Sequence, residues 1–96
     1  MNTEIKAVHF TLRDEGKEYL DKKIARIHNA ENMIVDLHVT LTKDKEFEAE
    51  ATVHFRWGVS IHVKESDFDL HPAIDKMMDK LEQKIVKEKE KVKEKR

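Results

Sequence analysis

Residues 35–55 read VDLHVTLTKDKEFEAEATVHF. Val35, Leu37, Val39 and Leu41 alternate with Asp36, His38, Thr40 and Thr42. Phe47, Ala49, Ala51, Val53 and Phe55 then alternate with Glu48, Glu50, Thr52 and His54. A period of two puts apolar side chains on one face and polar ones on the other. Each run therefore predicts a half-buried strand of an antiparallel sheet. Lys43-Asp44-Lys45 reads as the turn between them. Facing the two apolar sets together pairs Thr42 with Glu46 and His38 with Glu50.

Gly58 marks the next tight turn. Ile61 and Val63 alternate with Ser60, His62 and Lys64, which predicts a short last strand. Keeping Val53, Phe55, Ile61 and Val63 on one face sets His54 opposite His62. Trp57 is expected to cover the sheet edge against a helix, not to stand out as a stacking residue on RNA. Residues 65–68 link this strand to the final segment.

That segment, residues 69–96, reads DLHPAIDKMMDKLEQKIVKEKEKVKEKR. Asp69 is placed to cap a helix, and Pro72 falls in its first turn, where a missing N–H is harmless. Ile74, Met77, Met78, Leu81 and Ile85 recur three or four apart and mark one helix face. At roughly 100° per residue, Lys76, Lys80, Lys84, Lys87, Lys91 and Lys95 fall within about a quarter-turn of one another. Asp75, Asp79, Glu82 and Glu90 form the opposite flank. Ordinary solvated helices mix their signs in i,i+4 pairs. A sorted lysine stripe suits a phosphate-bearing partner, although a Lys/Glu-rich helix is also explained by solvation alone. Residues 87–96 alternate Lys and Glu and are expected to fray.

Towards the N-terminus, Ile5, Ala7, Val8 and Phe10 suggest a first strand over residues 3–10. Thr11 with Asp14 three residues on resembles a capping box, which predicts a helix start. Leu12, Tyr19, Leu20, Ile24 and Ile27 supply its apolar face, and residues 29–32 end it. Gly16 inside this helix suggests a close approach to the sheet. Lys22, Lys23 and Arg26 give the helix a basic edge of its own.

The 96 residues make one expected domain, residues 1–96, with 39% hydrophobic and 41% charged residues. That supports a modest core, enough for one sheet covered on one side. There is no cysteine, so disulfides and thiolate metal sites are excluded. No apolar run approaches the ~20 residues of a membrane span, and the first residues do not read as a signal peptide. A soluble, cytoplasmic protein is expected. The net charge of −1 hides an asymmetry. Residues 1–69 carry 10 Lys/Arg against 14 Asp/Glu, whereas residues 70–96 carry 9 against 6. The total argues against binding by bulk charge and leaves room for a local basic surface.

The predicted order is β-α-β-β-β-α, an α+β two-layer sandwich. Its four-stranded sheet has one apolar face, and two helices on one face must cover it. The first β-α-β unit makes its strands parallel, and the later strands form an antiparallel meander. With both helices on one side, Lys22, Lys23 and Arg26 are expected near the Lys76–Lys91 stripe as one basic two-helix surface. Reversing Asp75, Asp79 and Glu82 is expected to change binding of a phosphate-bearing partner little, or to tighten it slightly.

This order and the final helix resemble the ribosome hibernation promoting factor family, also called ribosome-associated translation inhibitors. The most specific match is Asp69-Leu70-His71-Pro72-Ala73-Ile74-Asp75, followed by Asp79-Lys80-Leu81, Gln83-Lys84 and the alternating Lys87, Lys89 and Lys91. The family motif runs Asp-x-Tyr-x-Ala-Ile-Asp, then Lys-Leu, Gln and alternating Lys. Glu18-Tyr19 with Lys22-Lys23 matches the family's first helix. His71 departs from the family's usual Tyr, and Gly16 from its usual large apolar residue. The chain resembles the short members, which lack the C-terminal dimerisation domain of the long ones.

The resemblance implies a fold like the double-stranded-RNA-binding domain with an added first strand. It implies binding to the small ribosomal subunit and its rRNA, in the channel used by messenger and transfer RNA. It also implies translation silenced in stationary phase or under stress. Short members often act beside a separate ribosome modulation factor, which makes that factor a further candidate partner. The expected rRNA-binding residues are Lys22, Lys23, Arg26, Lys76, Lys80, Lys84, Lys87 and Lys91, meeting phosphates with little base readout.

Other chemistry is set aside on residue grounds. His38, His54 and His62 could share the polar sheet face, but no zinc-ligand spacing is present. They read as solvated strand histidines. No Gly-rich phosphate loop and no nucleophile elbow occur, and Asp75 and Asp79 sit on a helix surface, where solvation outweighs tuning. A non-enzyme without cofactor, metal or small-molecule substrate is expected. The competing class is a protein-interaction module whose charged helices are solvated and bind no RNA.

Overall fold

The computed structural model describes residues 1–94. In chain order these are strand β1 (Asn2–Val8), helix α1 (Asp14–Ile24), a 3-10 segment (Ala25–Met33), strands β2 (Ile34–Lys43), β3 (Phe47–Phe55) and β4 (Ser60–Asp67), and helix α2 (Leu70–Glu94). Among the described residues the sheet has four strands in the order β1-β2-β3-β4. β1 pairs parallel with β2, and the two later pairings are antiparallel. The α+β order read from the periodicities is the observed one.

Alternation decides which side chains go inward. Leu37, Val39 and Leu41 of β2 and Ala49, Ala51 and Val53 of β3 are almost completely buried. Ala73, Ile74, Met77, Met78 and Leu81 of α2 close over them. Truncating such a side chain to Ala costs about 2–5 kcal/mol, which makes this row the main fastener of α2.

The register differs from the sequence expectation by two residues in each hairpin. Thr42 faces Glu48, not Glu46, and His38 faces Thr52, not Glu50. His54 faces Ser60, and His62 faces Thr52. Both turns have three residues inside their last paired positions, Lys43–Phe47 and Phe55–Val59, and lie one place away from where composition put them. The first is 44–46, closed by the Asp44 N–H on the Glu46 carbonyl. The second is 56–58, with Gly58 at φ 86° and the Phe55 N–H on the Val59 carbonyl. Moving a loop by one place slides the partner strand by two. The side-chain period is also two, so the faces are preserved from Leu37 onward. Val35, expected inward, is exposed, because the ladder shifts between Ile34 and Asp36 and Ile34 takes the buried place. β4 also runs on to Asp67, through residues expected to be a link.

Helix α1 corrects three expectations. It starts at Asp14 behind Arg13, with no side-chain cap, so Thr11 does not form the capping box. Asp14 and Glu15 in the first turn and Lys22 and Lys23 in the last complement the helix dipole instead. From Ala25 the coil tightens to 3-10 geometry. Ile24, Ile27, Ala30 and Met33 recur every third residue, and a three-residue turn keeps all four towards the core. Gly16 is tight against Leu12, just before α1, and lies next to Leu70 at the start of α2, not against the sheet. A Cβ there would lie 2.9 Å from Leu12 Cδ1 and 3.4 Å from Leu70 Cδ2.

At the start of α2, among the described residues, Asp69 serves through its backbone. Its carbonyl accepts from Ala73 N–H, and its own N–H donates to the Asp67 carboxylate. The 25 residues of α2 span about 37 Å at 1.5 Å per residue. The molecule measures 45 × 20 × 19 Å, so this helix runs most of its length.

Candidate nucleic-acid interface

Helix α2 has one buried row and two charged flanks, and each flank meets a different element. The lysine flank lies over β4. Lys76 Nζ is 3.0 Å from Asp67 Oδ2 and donates to the Ser66 carbonyl at 3.2 Å. Lys80 Nζ is 2.6 Å from Glu65 Oε2. Lys84 Nζ donates to the His62 carbonyl at 3.2 Å. All three remain exposed, and Lys87 and Lys91 continue the line as exposed residues. Lys95 of the stripe lies outside the described residues. Successive stripe members four residues apart rise about 6 Å, giving a ladder of ammonium groups along one edge of the molecule.

The acidic flank lies against α1. Tyr19 donates to Asp75 Oδ1 at 2.5 Å, and Lys23 Nζ lies 3.1 Å from the same oxygen. Arg26 sets Nε 2.8 Å from Glu82 Oε1, donates through Nη2 to Glu82 Oε2 at 3.0 Å, and reaches Asp79 at 3.8 Å. Burial pushes the Asp75 carboxyl up, but the hydrogen bonds from Tyr19 and Lys23 outweigh it and hold its pKa below the usual range. The same Asp75 contact raises the pKa of Tyr19 and of Lys23. His71 stacks on Tyr19 with ring centroids 3.9 Å apart and planes 4° from parallel.

The two basic groups expected on one surface are therefore separated by the width of α2. Lys76, Lys80, Lys84, Lys87 and Lys91 stay together. Lys23 and Arg26 turn towards Asp75, Asp79 and Glu82, and Lys22 is exposed on α1. Opposite charges at 2.8–3.8 Å hold the seam between the helices. The acidic flank is thus a structural joint, not a passive solvated face.

Sequence reasoning passed over a further contact. Glu88 falls in the apolar row of α2 and is only 9% exposed. Its Oε1 accepts the Trp57 Nε1–H at 2.9 Å, and the Trp57 ring stacks on Phe55 with centroids 5.0 Å apart. Trp57 thus ties the β3–β4 tip to α2, as expected, while remaining 39% exposed. The signal was present: a Glu at an apolar position of the helix repeat needs a donor.

The polar sheet face carries His38, His54 and His62. His38 pairs with Glu4 and His62 with Glu50, each at 2.8 Å, and His54 contacts Ser60 at 2.7 Å. Among the described residues no group of three or more His, Asp or Glu side chains converges to hold a metal ion.

A sequence model of the family described as Sigma 54 modulation protein / S30EA ribosomal protein matches residues 3–93. The chain belongs to this family. Similar proteins include the ribosome hibernation promoting factor of Azotobacter vinelandii, 29% identical over 92 residues, with 95% of this chain and 85% of that protein covered. The protein of the same name from Escherichia coli K12 is 27% identical over 95 residues, covering 98% of this chain and 99% of its own length. Among solved structures, the Thermus thermophilus Protein Y N-terminal domain superposes with a TM-score of 0.78 at 29% identity, covering 88% of this chain and 96% of that one. A ribosomal subunit interface protein from Coxiella burnetii shares the fold, with a TM-score of 0.84 at 23% identity over 93% of this chain and 98% of that one.

Proposed function

We propose that this family member is a ribosome hibernation factor. It binds the small ribosomal subunit through rRNA phosphates, occupies the mRNA and tRNA channel, and silences translation under stress or in stationary phase. The observation that carries the reading is the unbroken exposed line Lys76, Lys80, Lys84, Lys87 and Lys91 on one flank of α2. Such a line displaces condensed counterions from several phosphates at once, although each contact is weak alone. Lys22, Lys23 and Arg26 contribute as a second, separate basic patch across α2. The role is one of binding, without catalysis, in the cytoplasm, and a separate ribosome modulation factor is a candidate second partner. The apolar rows of both helices and the inner sheet face are used in the core, which disfavours a module that docks a partner by an apolar face.

The test is co-sedimentation with purified small subunits through a salt series, together with translation in vitro. Wild-type affinity is expected to fall steeply with salt. Lys84→Glu should flatten that slope, and Lys80→Glu/Lys84→Glu/Lys87→Glu should abolish association while retaining the fold. A triple variant that sediments and inhibits like wild type would sink the reading.

A further inference from the structure

Strand β4 breaks its own pattern. Ile61 and Val63 point under α2 and are buried. The next two positions of the same parity are Glu65 and Asp67. These carboxylates lie on the helix-covered side, about three-quarters buried, directly beneath the lysine stripe. Glu65 meets Lys80 at 2.6 Å and Asp67 meets Lys76 at 3.0 Å, while both lysines stay more than half exposed. The contact with Lys76, with help from the Asp69 N–H, holds the Asp67 carboxyl below its ordinary pKa. Each pair presents an ammonium group whose inner side already touches an anion.

We propose that Glu65 and Asp67 are specificity-determining residues that stand in for phosphate on Lys80 and Lys76 and are replaced only by a run of phosphates that engages the whole stripe. The inference rests on the phosphate-facing reading of α2 and adds a discriminating element to it. An isolated phosphate gains one weak contact and must compete with a carboxylate already in place. A phosphate track long enough to reach Lys84, Lys87 and Lys91 gains several contacts together. The carboxylates thus penalise short or poorly shaped RNA more than the correct surface, which is how a binder discriminates among abundant competitors.

The experiment compares wild type with Glu65→Gln/Asp67→Asn. The probes are purified small subunits and a six-base-pair RNA duplex closed by a loop, too short to lie along the whole stripe, which rises about 22 Å from Lys76 to Lys91. The double variant is expected to bind the duplex at least about ten-fold tighter near 0.15 M salt. Its salt slope is expected to steepen by about one to two, one unit for each lysine newly free for phosphate. Small-subunit affinity should rise by less, so the preference for the subunit narrows. A control, Asp21→Asn/Glu31→Gln, removes the same charge from two exposed residues that pair with no cation among the described residues. The preference should be unchanged in this control. Duplex affinity and slope equal to wild type, or an equal gain in the control, would overturn the inference. Thermal unfolding checks the fold, and Asp67→Asn alone, with half the effect, serves if the double variant does not fold. Failure of the hibernation reading shows in wild type, which would then not sediment with the subunit. Failure of this inference shows in the ratio between variant and wild type.

Discussion

Tyr19 and Asp75 are 56 positions apart in the chain, and the hydroxyl of one donates to the carboxylate of the other at 2.5 Å. The contact ties α1 to the first turns of α2, and Lys23 shares the same oxygen. Its pH dependence has a definite sign. The Asp75 pKa is depressed on folding, so its stabilisation is present above the ordinary carboxylate value and is lost as pH falls through the folded value. Tyr19 and Lys23 are raised, so theirs is present below their ordinary values and is lost as pH rises through the folded ones. Thermal unfolding against pH should fall off below about pH 4 and above about pH 10. Asp75→Asn should weaken both limbs, and so should Tyr19→Phe, because the Tyr19 hydroxyl is also what lowers the Asp75 pKa. Asp75 is partly exposed, so the expected loss is only about 1 kcal/mol.

Reversing Asp75, Asp79 and Glu82 to Lys should destabilise the fold, because the replacements face Lys23 and Arg26 across the helix seam. Each exposed pair contributes about 0.2–1 kcal/mol, and like charges reverse its sign. Chemical denaturation of the triple variant should give a loss of about 1–3 kcal/mol. Arg26→Glu in that background should recover part of it, whereas a passive acidic face predicts no change in either variant.

Trp57→Phe keeps the stack on Phe55 and removes the donor to Glu88, leaving a carboxylate with little access to water. The expected loss is about 1–3 kcal/mol, or a fall in Tm of several degrees for a domain of this size. Glu88→Leu, at a position of the apolar repeat, should be milder. Because Trp57 is the one tryptophan, its emission should shift in Glu88→Leu before any unfolding begins. An unshifted spectrum with unchanged Tm in both variants would count against the contact.

Zinc should leave Tm unchanged near neutral pH, because His38 and His62 are each occupied by a carboxylate and His54 by Ser60. A saturable rise in Tm that His54→Ala or His62→Ala abolishes would be the contrary result.

The elements that could be read from the chain are those whose period matches one geometry. Alternation from Leu37 to Leu41 and from Phe47 to Phe55 has one structural solution, and so has the row from Ile74 to Ile85. The register did not follow, because a two-residue slide leaves every inward residue inward, and only the loop positions at Glu46 and Val59 choose between the alternatives. The 3-10 segment was readable in principle from the spacing of Ile24, Ile27, Ala30 and Met33. A helix wheel separated the lysine flank from the acidic one, but it cannot say what each flank touches. That depends on α1 and β4 lying on opposite sides of α2, which is a tertiary relationship. The inward parity of Glu65 and Asp67 was hidden for the same reason: they were read as a link, and only their continuation of β4 turns them towards the lysines.

The outer edge of β4 has no strand beside it among the described residues, and an unpaired edge is a template for joining another molecule strand to strand. Here Lys84 and Lys76 occupy the His62 and Ser66 carbonyls, the groups a visiting strand would bond. The ladder of ammonium groups therefore also acts as a guard against self-association. Any anion that draws those lysines outward uncovers the template. Crowded storage of this protein with polyphosphate or free nucleic acid is then the condition under which edge-to-edge aggregation would first set in.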